Sequence, residues 1–520
     1  MSVRGGIALC MLALGLGAGL IGVFSTLPSL ENRNTSTTLV DTGTTRLGKA
    51  ISPRVDAHPG HSGIYALREA HDAFAARVLL AQAAERTLDV QYYIWHKDMT
   101  GTLLFKTLHD AAERGVRVRV LLDDNNTFGL DPTLAALDAH PNFEVRLFNP
   151  FVIRNLRAMG YIFDFSRANR RMHNKSFTAD NQATIIGGRN VGDEYFGAMD
   201  DVLFADLDVM AIGPVVNEVS NDFDRYWASE SSYPVNRLLP PADPADPAVF
   251  AQLASAASQL ERDPTAVAYM NALRNSSFVR ELVEGTLPLE WAATRMMSDD
   301  AAKGLGLAVP DALLSQKLKE IIGKPATEVD LVSPYFVPGA AGVDAFTAWA
   351  KRGVNVRVLT NSLEATDVVA VHAGYAKRRK PLLEAGITLY ELRRMSADAG
   401  TAKSAGLTGS SDSSLHAKTF SVDRSRVFIG SFNFDPRSKE LNTEMGFVID
   451  SPALAQRIDA AFNDRIPADA YEVRLSDTGQ LYWIERLKGK QVRHDTEPGT
   501  NFWQRAGVWI MSMLPIEWLL

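Results

Sequence analysis

The chain repeats itself, and this constrains its fold more than any other feature. Glu113-Arg114-Gly115-Val116-Arg117-Val118-Arg119-Val120-Leu121 returns as Lys351-Arg352-Gly353-Val354-Asn355-Val356-Arg357-Val358-Leu359, an offset of 238 residues from Gly115 to Gly353. Downstream, Met172-His173-Asn174-Lys175-Ser176-Phe177 returns as Leu415-His416-Ala417-Lys418-Thr419-Phe420, an offset of 243 from His173 to His416. The offsets differ by five residues, a loop's worth. Each copy begins with a β-rich run, Leu88 to Trp95 or Val329 to Val337, and then alternates helical and strand-like patterns. That order predicts an α/β fold: two pseudo-twofold-related lobes with mixed sheets flanked by helices.

Within each copy a His and a Lys stand two apart in an apolar run. On an extended chain residues i and i+2 share a face, so His173 projects with Lys175 and His416 with Lys418. Asp180 and Asp423 follow seven residues after each His. They complete a candidate catalytic set by spacing, but an odd interval turns them to the opposite face, where support of a turn is the expected role. Seventeen residues after each His comes an Asn in a Gly-containing turn, Asn190 in Gly187-Gly188-Arg189-Asn190 and Asn433 in Gly430-Ser431-Phe432-Asn433. Such turns offer N–H groups to an anionic oxygen. If the halves fold face to face, two imidazoles, two ammonium groups and two amides surround one point. That set suits a phosphodiester, with Lys175, Lys418, Asn190 and Asn433 on the phosphate oxygens, one His attacking phosphorus and the other protonating the leaving oxygen. Positioned cations then replace the metal used by many phosphoryl-transfer sites, so no metal or other cofactor is expected. The histidines must differ in charge, which calls for carboxylates that orient them. Asp206 and Glu444, each opening the next strand of its half, are the candidates, with Asp208 in reserve. Tyr92 and Tyr335, at the ends of the repeated strands, are expected to pack rather than react.

His173-x-Lys175-x4-Asp180 and His416-x-Lys418-x4-Asp423, each with its Gly/Asn turn, resemble the duplicated HKD signature of the phospholipase D superfamily. The repeat carrying it covers roughly residues 61–470. The resemblance implies a phosphohistidine intermediate, with His173 as nucleophile and His416 as acid. Asn169-Arg170-Arg171-Met172-His173-Asn174-Lys175, Val371-His372-Ala373-Gly374-Tyr375 and Leu514-Pro515-Ile516-Glu517-Trp518-Leu519-Leu520 are similar to the C-type branch of the bacterial cardiolipin synthases. This implies transfer of a phosphatidyl group from a donor, phosphatidylglycerol or phosphatidylethanolamine, to the glycerol hydroxyl of phosphatidylglycerol. Three other functions compete: a hydrolytic phospholipase D, a phosphodiester nuclease, and an inactive lipid-binding scaffold. Both motifs are intact, which counts against the scaffold.

A net charge of −7 gives no general basic field for nucleic acid, and none is expected as partner. The single cysteine, Cys10, excludes an intrachain disulfide framework and a Cys-based zinc site. Gly5 to Leu27 is uncharged for 23 residues, enough to cross a bilayer core. Residues 1–30 are therefore expected to be a signal anchor, or a signal peptide, in a bacterial inner (cytoplasmic) membrane, with the catalytic body on the periplasmic side. One such segment departs from the two-span anchor typical of better-known cardiolipin synthases. The remaining organisation is expected as a tether at 31–60, a first lobe at 61–235 (motif region 167–194), a Pro-rich then helical linker at 236–310, a second lobe at 311–470 (motif region 410–437) and an apolar, aromatic tail at 471–520. The tail's last twenty residues read either as a helix docked on the body or as an interfacial segment with its Trp rings at headgroup level. Phe151 to Arg171 interleaves arginines with aromatics and reads as a lipid-access lip, Arg170 and Arg171 meeting phosphates, while His372, Tyr375 and Lys380 line the second half's mouth. The expected partners are phospholipids and the membrane, with room for a protein partner.

Overall fold

The computed structural model of the chain describes residues 26–198, 203–241, 262–394, 413–487 and 489–520, together with residues 255, 258 and 259. The apolar segment expected to anchor the chain lies almost wholly outside the described residues. Among them, no helix is long and apolar enough to cross a membrane.

Each half is built on a mixed sheet, and the two sheets run in the same strand order. In the first half Thr87–Ile94, Arg117–Asn126 and Phe143–Phe148 are parallel neighbours. Thr87–Ile94 also pairs antiparallel with Ser176–Ala179, which continues through Ala183–Gly187 and Asp208–Ile212 to Ser62–Leu67. The second half repeats this with Glu328–Val332, Asn355–Asn361 and Thr388–Leu392 parallel. Thr419–Val422, Arg426–Gly430, Met445–Asp450 and Glu290–Ser298 follow antiparallel. The parallel strands carry near-continuous apolar runs because helices cover the sheet: Val118, Val120, Leu121 and Leu122 are all buried. Helices Ala70–Ala83 and Met99–Glu113 supply the covering layer in the first half.

The two sheets join edge to edge, with Ser62↔Ala292, Gly63↔Trp291 and Ile64↔Glu290 in antiparallel register. Between the halves lies a shared apolar core in which Ile64, Ile186, Val209 and Val215 pack with Leu415, Ile429, Phe447 and Ile449. An interface of this kind resists hinge motion, since opening it would expose apolar side chains at roughly 25 cal/mol per Å².

Three expected segments are corrected. The stretch 31–60 is no loose tether: Arg33 donates to the carbonyls of Ala228, Ser229 and Ser232, and helix Arg46–Asp56 is tied to Glu85. The linker 236–310 contains strand Glu290–Ser298, which closes the second half's sheet. The tail 471–520 begins with strand Ala470–Leu475 and two further strands, Leu481–Leu487 and Lys490–His494, that extend the same sheet.

Candidate active site

Two short parallel backbone pairings bring the repeated motifs together. Met172 bridges Thr443, so that the His173 N–H donates to the Thr443 carbonyl at 2.9 Å. Ser413–Leu415 pairs with Leu203–Ala205, and the His416 N–H donates to the Ala205 carbonyl at 2.9 Å. Each histidine is thus set directly beside the residue that follows its pairing partner in the other half: Glu444 beside His173 and Asp206 beside His416.

The result is an exchange across the pseudo-twofold. His173 Nδ1 lies 2.8 Å from Glu444 Oε2, and His416 Nδ1 lies 2.5 Å from Asp206 Oδ2. Asp206 and Glu444, the expected orienting carboxylates, each serve the histidine of the opposite half. Lys175 Nζ folds back to the His173 carbonyl at 2.6 Å, and Lys418 Nζ makes the equivalent contact to the His416 carbonyl. All six side chains are buried, and tyrosine rings stand edge-on to both imidazoles, Tyr93 at 4.9 Å from His173 and Tyr195 at 5.3 Å from His416.

The halves are not equivalent where the carboxylates are held. Gly188 stands where the second half has Ser431, each one residue after the last glycine of its strand. A Cβ on Gly188 would sit 2.0 Å from Asp206 Oδ1, so only glycine leaves room for that carboxylate. The Ser431 hydroxyl instead donates to Glu444 Oε2, and the Ser438 hydroxyl donates to Oε1 at 2.8 Å. Behind Glu444, Lys303 and Asp299 pair at 2.9 Å, and Asp299 accepts the Glu444 N–H. Arg189 lies behind Asp206, donating to its carbonyl at 2.7 Å.

These surroundings separate the titrating groups. Burial pushes Glu444 up to about 7 against the pull of Lys175 and its serine donors. Burial opposes the Asp206 charge as well, but His416, Lys418 and Arg189 outweigh it and hold Asp206 below the usual carboxylate range. Burial, with Lys175, Lys418 and His416 nearby, holds His173 well below the ordinary imidazole value. His416 is also lowered, by burial and Lys418, while Asp206 works in the other direction. Burial brings Lys175 down to about 7 and Lys418 to about 8.

Asn190 and Asn433 are both buried beside the histidines' turns. Asn190 Oδ1 accepts the Ile94 N–H at 3.2 Å, and its side chain lies against the Tyr195 hydroxyl. Asp208, the reserve carboxylate, instead pairs with Arg77 at 2.8 Å and stays within the first half. Tyr92 accepts from Arg77 Nε, as a packing residue would, whereas Tyr335 donates to Asp367 at 2.6 Å.

Asp180 and Asp423 lie at the hairpin turns and bind backbone N–H groups. The Asp180 carboxylate accepts the backbone N–H groups of Glu85, Arg86 and Thr87 at 3.0, 2.7 and 2.9 Å. Asp423 accepts those of Ala326, Thr327 and Glu328 at 3.0, 2.7 and 3.1 Å. Both sit at φ near +50° in the hairpin turn beyond the strand that follows the histidine, on the side away from the cleft. Asp180→Ala would strand three N–H groups, and we expect it to cost about 3 kcal/mol in urea unfolding while the folded fraction keeps its turnover number.

The phosphate-binding role expected of the lip's arginines is corrected. Arg171 is buried, donating to Asp123 at 3.2 Å and stacking over Phe151. Arg170 donates to the carbonyls of Lys303 and Glu440. Arg154 and Arg157 are paired with Asp131, and Arg167 with Asp164. Asp164 lies within the segment, but the partners of Arg154, Arg157 and Arg171 come from strand Arg117–Asn126 and helix Asp131–Asp138 before it, which is why those arginines looked available. His372 and Tyr375 are likewise interior: His372 Nε2 meets Arg379 at 2.8 Å and the Tyr375 hydroxyl donates to Glu391 at 3.0 Å. Lys380 is exposed, near Glu384. Of the groups that hold Glu444, only Ser431 lay in a turn the motif had marked; Ser438, Asp299 and Lys303 carried no signal in the sequence.

Two described clusters have metal-ligand spacing, His96 with Asp98 and Glu194, and Glu328 with Asp330 and Asp459. Their atoms are already spent. Asp98 caps helix Met99–Glu113 and accepts the Asp193 N–H, and His96 contacts Glu194. Glu328, Asp330 and Asp459 enclose Arg357.

The model of a family described as cardiolipin synthase, PLD-like domain, matches residues 78–227 and 318–466, one match in each half. Cardiolipin synthase C of Escherichia coli is 53% identical over 477 residues, spanning 91% of this chain and all of that protein. An uncharacterised protein of Helicobacter pylori is 31% identical over 474 residues, 89% of this chain and 91% of its own length. Among solved structures, the phosphatidylserine synthase of Haemophilus influenzae superposes with a TM-score of 0.57, covering 92% of this chain and all of that one. At 13% identity that likeness is one of fold.

Proposed function

Since the chain belongs to the phospholipase D-like cardiolipin synthase family, we propose that it is a phosphatidyltransferase that makes cardiolipin at a bacterial membrane. The observation that carries the mechanism is the crossed pairing of His173 with Glu444 and His416 with Asp206. With Nδ1 engaged, the opposite nitrogen of each ring, Nε2, is the one that reacts.

His173, held neutral by its surroundings, attacks phosphorus of the donor lipid through Nε2. The bond from phosphorus to the headgroup oxygen breaks, and His416 gives that oxygen its proton. Asp206, firmly ionised, supports the His416 imidazolium before transfer. Lys175, Lys418 and Asn190 hold the non-bridging oxygens, and Asn433 closes the second half's side of the phosphate. A phosphatidylglycerol hydroxyl then replaces the alcohol and passes its proton to His416. Its oxygen attacks phosphorus, the N–P bond breaks, and cardiolipin leaves with His173 restored. The buried rings limit the access of water to the intermediate, which favours a lipid hydroxyl as acceptor over hydrolysis.

Phosphatidylglycerol is both acceptor and sufficient donor in this reading, with phosphatidylethanolamine as a second donor, and the catalytic body stands on the periplasmic side. The full chain in mixed micelles of phosphatidylglycerol alone is expected to yield cardiolipin and one glycerol per cardiolipin. With phosphatidylethanolamine added, labelled ethanolamine should appear as well. Phosphatidic acid as the sole product would replace transfer with hydrolysis, and cleavage of plasmid DNA without lipid turnover would replace both.

A further inference from the structure

We propose that the C-terminal helix and the first half's lip form one membrane-docking face that holds the cleft against the surface of a phospholipid bilayer. The inference rests on the phosphatidyltransferase reading for its occupant, because such a substrate is drawn from a bilayer.

Helix Phe502–Met513 is closed at its start by a reciprocal capping box between Asn501 and Gln504. It packs on the second half through one side: Val508 is buried against Leu363 and Ala373, with Met511 at the margin. The rest of its apolar surface has no cover. Phe502, Trp509 and Met513 recur at helical spacing on one face, Trp503, Ile510 and Leu514 beside them, and all six are exposed, Trp503 to 80%. Arg505 is the sole charge between Phe502 and Ile516. A soluble surface this apolar marks an interaction site, and tryptophans beside aliphatic side chains suit the headgroup–acyl boundary.

The face continues across the halves to the cleft. Trp518 is exposed and meets the ring of Phe165 at 6.4 Å, edge-on. Phe165 belongs to the lip, where Leu156 and Ile162 are also exposed and the neighbouring Arg154, Arg157 and Arg167 are neutralised by Asp124, Asp131 and Asp164. That neutralisation leaves an apolar rim rather than a basic one. Arg437 fastens the two sides, donating to the Leu519 carbonyl and to Asn169. It stands four residues past Asn433, and Asn169 stands four before His173. A bilayer contacting Trp509, Ile510, Trp518 and Ile162 would present lipid at the edge of the catalytic cleft.

The single cysteine makes the test direct. In full-length chain carrying Cys10→Ser, Ile510→Cys and Ile162→Cys are each labelled with an environment-sensitive fluorophore, and Val492→Cys, exposed on strand Lys490–His494, serves as control. The chain is reconstituted in vesicles of phosphatidylethanolamine and phosphatidylglycerol containing brominated acyl chains. Labels at 510 and 162 are expected to shift blue and be quenched, with the control unchanged. Emission at 510 and 162 matching the control would overturn the proposal. So would a blue shift without vesicles that grows with protein concentration, since a second copy would then cover the face. The quenching does not depend on turnover, so its failure is separable from failure of the product assay. The pair Trp509→Ser with Ile510→Ser should raise KM for vesicle phosphatidylglycerol about tenfold, as lost apolar insertion predicts, and leave turnover of a dispersed short-chain lipid intact. An unchanged KM would count against the docking face.

Discussion

His173→Ala should abolish lipid turnover to background, a loss on the order of a million-fold, because it removes the nucleophile and leaves His416 to serve only as acid and base. His416→Ala should be nearly as damaging with natural lipids, whose alkoxide leaving groups need a proton. The two variants part company on a donor carrying p-nitrophenol, a leaving group that departs unprotonated. His416→Ala should then release one p-nitrophenol per enzyme in a burst and stop, because phosphatidyl-His173 forms while no base remains to activate the acceptor hydroxyl. Mass spectrometry of the trapped chain should find the phosphatidyl group on His173. His173→Ala should give no burst. A burst from His173→Ala, with the adduct on His416, would reverse the assignment.

The carboxylates should be unequal, and the inequality should depend on pH. Asp206→Asn is expected to cost about 10³–10⁴ in kcat at every pH, since it removes the charge that supports His416 as acid. Glu444 behaves differently because burial has brought it up to about 7. Below that pH it is protonated and contributes only a neutral hydrogen bond; above it the carboxylate makes His173 a stronger nucleophile. In the wild type kcat/KM should therefore rise as pH passes upward through about 7. It should fall again as Lys175 and Lys418, brought down to about 7 and about 8, lose the protons that hold phosphate, which leaves a narrow maximum. Glu444→Gln should lose the rise and keep the fall, with a deficit of about tenfold at pH 6 that widens above pH 7. A Glu444→Gln profile parallel to the wild type across this range would refute the role given to Glu444. Ser431→Ala, which removes a donor to the carboxylate, should shift the rising limb to higher pH.

Much of this site could be read before any coordinates. The offsets of 238 and 243 residues announced a duplicated α/β lobe. The i, i+2 spacing put each lysine with its histidine, and the odd interval to Asp180 turned that carboxylate toward the strand start, where it meets three N–H groups. Asp206 and Glu444 stood out as acids at the openings of equivalent strands. The lip was misread in a specific way: Arg154, Arg157 and Arg171 looked available for phosphate because Asp131, Asp124 and Asp123, which neutralise or bind them, lie far back in the chain.

Local order, pseudo-symmetry and the reacting residue types are properties of the string, since strand alternation, turn residues and repeats act over a few neighbours. The exchange of carboxylates between halves is decided by the tertiary structure, where Met172 lies along Thr443 and Ser413–Leu415 along Leu203–Ala205. So is the inequality of the two carboxylates, Glu444 raised by burial and held by Ser431, Asp206 held down by His416, Lys418 and Arg189 in the half that has Gly188 instead. Carboxylates in matching positions shift in opposite directions because electrostatics depends on distance through space and on exclusion of water, and neither is set by separation along the chain.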